Sequence, residues 1–312
     1  RQEAQGVKRA QPSLAYSSPY VYNVPVGSQV LRRYSLASKQ TLELRSQKFM
    51  ACSGCKIVEA PPGLVFIVGK KERSEQSLSL IDSIREFSEI FKPRMRRCRV
   101  EVPPGLVFIV GKKERSEQSL SLIDSIREFS EIFKPRMRRC RVKFGAAYAG
   151  GFIYAVGGFS DKILADCERF NIANEAWEEM QPLPHACFGT SLVVHEGTRS
   201  IYALGGNDDY SINLIQRLDL DLIQWEVLPL TLPQADCWLP AFTHEDGEIY
   251  LILWNRLHVY RPSEGSISFV QKLDDTAVSV FSASKFYDRV LYCTDLKCDR
   301  KSYVLGQLMH KS

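Results

Sequence analysis

The strongest constraint on this chain is that it repeats itself. Short apolar segments with an aromatic at their second position recur as VYNV (Tyr22), VFIV (Phe66), VFIV (Phe108), IYAV (Tyr154), IYAL (Tyr202), IYLI (Tyr250) and LYCT (Tyr292), separated by 44, 42, 46, 48, 48 and 42 residues. A fixed period of this size marks units that cannot bury an apolar face alone and must stack on their neighbours. One period is a near copy of another: residues 58–100 and 100–142 differ only at Ala60 against Val102. Either a recent duplication or a fault of assembly explains such identity, because an old repeat drifts. The copy obeys the older period, as a foldable insertion would.

Within a unit the pattern is β. The unit beginning near residue 144 divides into FGAAYA, GFIYAVGG, DCERFNI and AWEEM, with turns at Gly150-Gly151, Gly157-Gly158 and Asn171 to Asn174. Runs of Val, Ile, Tyr and Phe between such turns read as strands. Four strands per period of 40–50 residues is the signature of a propeller blade. The segment LSLIDSIREFSEIF also has helical spacing at Leu80, Ile81, Ile84, Phe87, Ile90 and Phe91. Its place in the repeat, where other units carry their third and fourth strands, favours strands.

Two units carry a fuller pattern. One reads IYAVGG, CERF, then Trp177 and MQPLP; the next reads IYALGG, QRLD, then Trp225 and VLPL. In both, Trp follows the second Gly by 19 residues and the Arg by 8. These fixed offsets resemble the kelch repeat, strongly over about residues 140–240 and weakly elsewhere. The duplicated units have Gly69-Lys70 and Gly111-Lys112 in place of a Gly pair and Phe91 and Phe133 in place of Trp; the unit at Tyr250 has Leu253-Trp254. The resemblance implies an all-β, kelch-type β-propeller of about seven blades of four antiparallel strands, with six as the alternative. Residues 17–312 would form the ring, and a leader, 1–16, would supply its closing strand. The last unit is expected to hold strands near Val278–Ala283, Arg289–Cys293 and Tyr303–Leu308. The motif residues Gly157, Gly158, Gly205 and Gly206 would end the second strands where no side chain fits. Trp177 and Trp225 would fill interblade space, and Arg169 and Arg217 would meet carboxylates or carbonyls there.

No apolar run reaches the ~20 residues of a spanning helix; Phe144 to Phe159 comes nearest but holds five glycines. The first residues are polar and read as no signal peptide. Nine scattered cysteines and no Asn-x-Ser/Thr acceptor predict a reducing, cytoplasmic setting. Cys52 and Cys55 form a lone CxxC without a second ligand pair, so no metal or cofactor is expected. The histidines, His185, His195, His244, His258 and His310, share no chelating spacing. The resemblance also implies an alternative, since some kelch propellers are enzymes, copper radical oxidases and sialic-acid epimerases among them. No nucleophile elbow, phosphate loop or dinucleotide fingerprint accompanies the repeat here, and the chain is read as non-catalytic.

Charge is the functional clue. The net charge is +5, yet residues 61–100 and 103–142 each hold nine Lys/Arg against five Asp/Glu. The density peaks at Lys92, Arg94, Arg96, Arg97 and Arg99, and again at Lys134, Arg136, Arg138, Arg139 and Arg141. By alignment these segments join one blade to the next on a common face. Such clusters would bind an acidic or phosphorylated segment of another protein through bidentate contacts. Nucleic acid is the competing ligand, but no aromatics for base stacking are interleaved with the arginines. The expected function is a protein-interaction scaffold or adaptor. The resemblance implies roles in ubiquitin-ligase or cytoskeletal complexes; the ubiquitin route needs a BTB or F-box segment, and none lies within these residues.

Overall fold

The computed structural model describes residues 14, 18–23, 30–45, 56–61, 64–70, 79–85, 131–134, 137–139, 141–244, 247–273, 283–287, 290–294 and 300–304. They form an all-β propeller. The first sheet holds β1 (Tyr20–Asn23), β2 (Val30–Ser35) and β3 (Thr41–Arg45), and the second β4 (Lys56–Ala60), β5 (Leu64–Lys70), β6 (Ser79–Arg85) and β7 (Glu131–Lys134). The third holds β8 (Gly145–Ala149), β9 (Phe152–Val156), β10 (Cys167–Asn171) and β11 (Ala176–Met180). The fourth holds β12 (Ser191–His195), β13 (Ser200–Asn207), β14 (Ser211–Asp219) and β15 (Gln224–Thr231). The fifth holds β16 (Ala241–Thr243), β17 (Ile249–Leu253), β18 (Arg256–Arg261) and β19 (Ser266–Lys272), and the sixth β20 (Ala283–Tyr287), β21 (Val290–Thr294) and β22 (Arg300–Val304). Each sheet is an antiparallel meander. The first strands stand side by side around the ring, β4 by β8, β8 by β12, β12 by β16, β16 by β20 and β20 by β1.

The described residues thus give six sheets, four of them four-stranded. The second sheet is composite: β4, β5 and β6 come from the first copy of the duplication, and β7 comes from the second. Residues 86–130, which hold the remainder of the duplication and with it the expected seventh blade, lie outside the described residues. β6 is a strand, as its place in the repeat requires, so repeat position outweighs helical periodicity. Tyr22 differs from expectation. It lies on β1, beside the inner strand β20, whereas the other described aromatics of the series lie on second strands. The sixth sheet is also shifted, because the hairpin pairing Tyr287↔Val290 sets β20 immediately before β21, and β22 begins at Arg300. Of the leader only Leu14 is described; its carbonyl accepts a hydrogen bond from Gly150 N–H (3.1 Å).

The core lies between sheets, as strand alternation demands. On one face of the third sheet, Ile153, Ala155, Phe170 and Trp177 pack with Val58, Ala60, Phe66 and Val68 of the second. On the other face, Tyr154, Val156 and Cys167 pack with Val194, Ile201, Ala203, Leu218 and Trp225 of the fourth. Tyr202 and Tyr260 meet edge to face at 5.4 Å between the fourth and fifth sheets. Trp177 and Trp225 are buried, Trp177 against Phe170 at 5.4 Å. Arg169 pairs with Glu178 (2.8 Å) on the adjacent strand and lies over the Phe152 ring; Arg217 pairs with Glu226 and Asp219 and bonds Ser200 Oγ. Both arginines tie strands of one sheet together rather than bridging two sheets.

Candidate interaction face

Two sets of connections meet at one end of the ring: those linking second to third strands, and those linking one sheet to the next. The Gly pairs bring them together. Gly157 and Gly158 have φ of +60° and +101°, and a side chain on Gly157 would fall on the Cys187 carbonyl oxygen. Gly205 repeats this against the Asp236 carbonyl. Because the backbones approach so closely, Val142 and Phe159 exchange two 2.8 Å hydrogen bonds, and Phe188 and Asn207 do the same one sheet on (3.0 and 2.8 Å).

In the third and fourth sheets a buried polar residue on the third strand anchors the incoming connection. Glu168 accepts the backbone N–H groups of Arg138 (2.7 Å) and Arg139 (3.1 Å). Its counterpart Gln216 accepts His185 N–H and donates to His185 O. His258 holds the same register position in the fifth sheet and is also buried. Burial lowers its pKa.

The sequence-predicted arginines separate at this point. Arg141 is fully buried: it bonds Glu168 Oε1 (2.5 Å), Asp166 O (2.5 Å) and Gly157 O (3.0 Å). It therefore cannot reach a partner, and its place among binding residues is corrected to a clamp between connections. Arg138 and Arg139 do lie at this end, but Arg138 pairs with Glu179 (3.1 Å) and Arg139 with Asp161 (3.5 Å) and Asp166 (3.4 Å). Arg94, Arg96, Arg97, Arg99 and Arg136 lie outside the described residues. Each of the described arginines of the cluster is thus paired with an acid of the third sheet: Asp161 and Asp166 on the β9–β10 connection, Glu168 on β10 and Glu179 on β11.

What the face presents instead is aromatic. Phe159, Phe188 and Trp238 form a row, with centroids 6.1 Å apart at each step. Lys143 Nζ lies 5.3 Å from the Phe188 centroid and 5.5 Å from that of Trp238. Lys143, Gly189 and Trp238 stand just before the inner strands β8, β12 and β16, all with positive φ (56°, 70° and 57°). They are linked in series: Gly189 N–H donates to Lys143 O (2.7 Å) and Trp238 N–H to Gly189 O (2.6 Å). A left-handed backbone costs a non-glycine residue about 1 kcal/mol or more, and such strain clusters at binding sites. Beyond the row, Tyr210 and Trp254 are exposed (81% and 61%). Trp254 occupies the place of the second motif Gly, at φ +57°, in the tight turn between Leu253 and Arg256. Its N–H donates to Asp236 (3.4 Å), whose carboxyl is raised in pKa by burial.

Sequence reasoning missed this row because it sought charge. The signal was present as position: Phe159 follows the second Gly, Trp254 replaces it, and Lys143 and Trp238 precede inner strands. Among the described residues no group of three or more His, Cys, Asp or Glu side chains could hold a metal ion, and no helix is long and apolar enough to cross a membrane.

Residues 140–184 match a family model described as the Kelch motif. Over 111 residues, 34% of this chain, the sequence is 34% identical to Kelch-like protein 33 of Homo sapiens, covering 20% of that protein. Over 81 residues, 24% of this chain, it is 32% identical to a kelch repeat-containing protein of Dictyostelium discoideum, covering 12% of it. The chain thus matches only a minor part of either relative. These matches support a kelch-repeat family for the propeller.

Proposed function

We propose that this kelch-repeat propeller is a non-catalytic protein-interaction scaffold or adaptor, and that it engages partners through the aromatic end of the ring. The observation that carries the reading is the clustering of Phe159, Phe188 and Trp238 with exposed Tyr210 and Trp254 on connections of three successive sheets. Aromatic side chains dominate binding energy at interfaces, and Trp and Tyr are the commonest hot spots. A rigid ring leaves its connections free to carry recognition. Arg138 and Arg139, each paired with a neighbouring acid yet still partly exposed, would rim the same end and add to a preference for acidic partner segments. Membership of a ubiquitin-ligase or cytoskeletal complex, and a cytoplasmic location, complete the reading. A ring of six sheets, the second copy of the duplication lending its last strand to the first, is the blade count that this reading adopts.

The test is affinity capture with quantitative mass spectrometry, comparing the parent chain with a Tyr210→Ala/Trp254→Ala variant. A Leu222→Ala variant serves as control; Leu222 is exposed in the β14–β15 turn, at the opposite end of the sheets. Partners lost from the double variant and kept by the control support the reading. Identical capture by all three chains refutes it.

A further inference from the structure

Resting on the reading that this end binds partners, we infer that Lys143 is its anion-contacting residue, and that the partner segment carries a carboxylate beside a large apolar side chain. The charges of the end fall into two groups. Arg138 and Arg139 are engaged by Glu179, Asp161 and Asp166, and Arg141 by Glu168. Asp208 is engaged by His185 (2.6 Å), and Asp236 accepts the N–H groups of Cys237 (2.8 Å) and Trp254 (3.4 Å). Lys143 is different. It is exposed, and among the described residues no carboxylate lies within ion-pair distance of its ammonium. Its contacts are the rings of Phe188 and Trp238.

This arrangement fits a particular occupant. The two rings attract the lysine ammonium and so limit the freedom to be lost when an anion arrives. They also leave apolar surface on both sides of the cation, where a large side chain next to the carboxylate would lie. A phosphate dianion is better served by bidentate guanidinium forks, and the described guanidinium groups of this end are already taken. Lys143 stands at positive φ just before β8, with its ammonium beside the Phe188 and Trp238 rings. Lys162 also lacks a carboxylate partner among the described residues, but no ring flanks it, which makes it the natural control.

The test selects phage-displayed random dodecapeptides on the whole 312-residue chain, and measures synthetic versions of the enriched peptides by fluorescence polarisation. Selected peptides are expected to carry Asp or Glu next to an aromatic or large aliphatic residue. Lys143→Met keeps the stem and removes the charge; it should raise Kd roughly tenfold, the size of one charge-assisted hydrogen bond at a partly exposed site. Lys162→Met should leave Kd within about twofold, since a lone exposed charge contributes little. Circular dichroism confirms that each variant folds. If peptides lose affinity with Trp254→Ala but not with Lys143→Met, the end binds partners and the inference about Lys143 is wrong. If neither change matters, the reading of this end fails as well. Enrichment of basic or uncharged peptides also overturns the inference.

Discussion

Glu168 is the residue through which the structure makes its sharpest energetic statement. Its carboxylate, 2% exposed, accepts two backbone N–H groups and the Arg141 guanidinium, itself fully buried. Glu168→Ala leaves Arg141 with carbonyl partners only and an Nε that already lacks one. An uncompensated buried charge costs about 3–5 kcal/mol, and orphaning two amide N–H groups adds about 1–3 kcal/mol each if water cannot reach them. Against a total stability of about 5–15 kcal/mol, Glu168→Ala should lower the urea midpoint severely or prevent folding. Glu168→Gln should do less, because Gln216 performs the same clamp one sheet on. Glu168→Leu with Arg141→Met should recover part of the loss, since the buried charge then disappears with its partner. Urea denaturation followed by tryptophan fluorescence measures all three. If Glu168→Ala costs less than about 1 kcal/mol, or if the double variant is worse than the sum of its singles, the clamp does not hold the ring.

Other expectations follow from the same geometry. Burial lowers the pKa of His195 and His258, so each binds its proton less readily folded than unfolded; stability should be full above about pH 6.5 and fall as pH drops below it. His258→Gln, matching the Glu and Gln of the equivalent positions, should fold and flatten part of that fall; an unchanged urea-midpoint profile between pH 7.5 and 5.5 would falsify the assignment. Gly157→Ala meets both a positive φ and the Cys187 carbonyl, whereas Gly265→Ala meets only the φ of +62° in open space. The first should cost several times the second, which is expected near 1 kcal/mol; equal thermal shifts would remove the steric argument. Deleting 89–130 leaves residues 85–88 between Ile84 and Glu131, the four-residue spacing of Asn171↔Ala176, Asp219↔Gln224 and Arg261↔Ser266. The shortened chain should fold with unchanged blade contacts, and Asp82→Cys with Phe133→Cys should form a disulfide in the full chain; failure to cross-link contradicts the composite second sheet.

Much of this architecture was legible in the repeat. Tyr22 aside, the described aromatics, the Gly pairs and the two Trp lie in interblade and turn positions, as the resemblance implied, because period-two alternation and backbone crowding act locally. The burial of Arg141 was not legible, for the opposite reason. Sequence charge does not reveal which acids fold against it, and Asp161, Asp166, Glu168 and Glu179 all lie on elements that follow the cluster by 20 residues or more. The polar residue before each motif Arg, Glu168 or Gln216, carries no mark in the sequence of the connection that it anchors. Trp254 was read as drift from the motif, whereas at φ +57° in a two-residue turn it is the most conspicuous apolar group of its sheet.

Binding of partners at the aromatic end is open to a single decisive test. Hydroxyl-radical footprinting of the chain, alone and bound to a captured partner, tests it directly because aromatic side chains react readily in the free protein. Tyr210, Trp238 and Trp254 should become protected on binding, with Leu222 and the exposed Phe269 of β19 unchanged. Protection of Leu222 or Phe269, with Tyr210 and Trp254 still reactive, would place the partner elsewhere on the ring and contradict it.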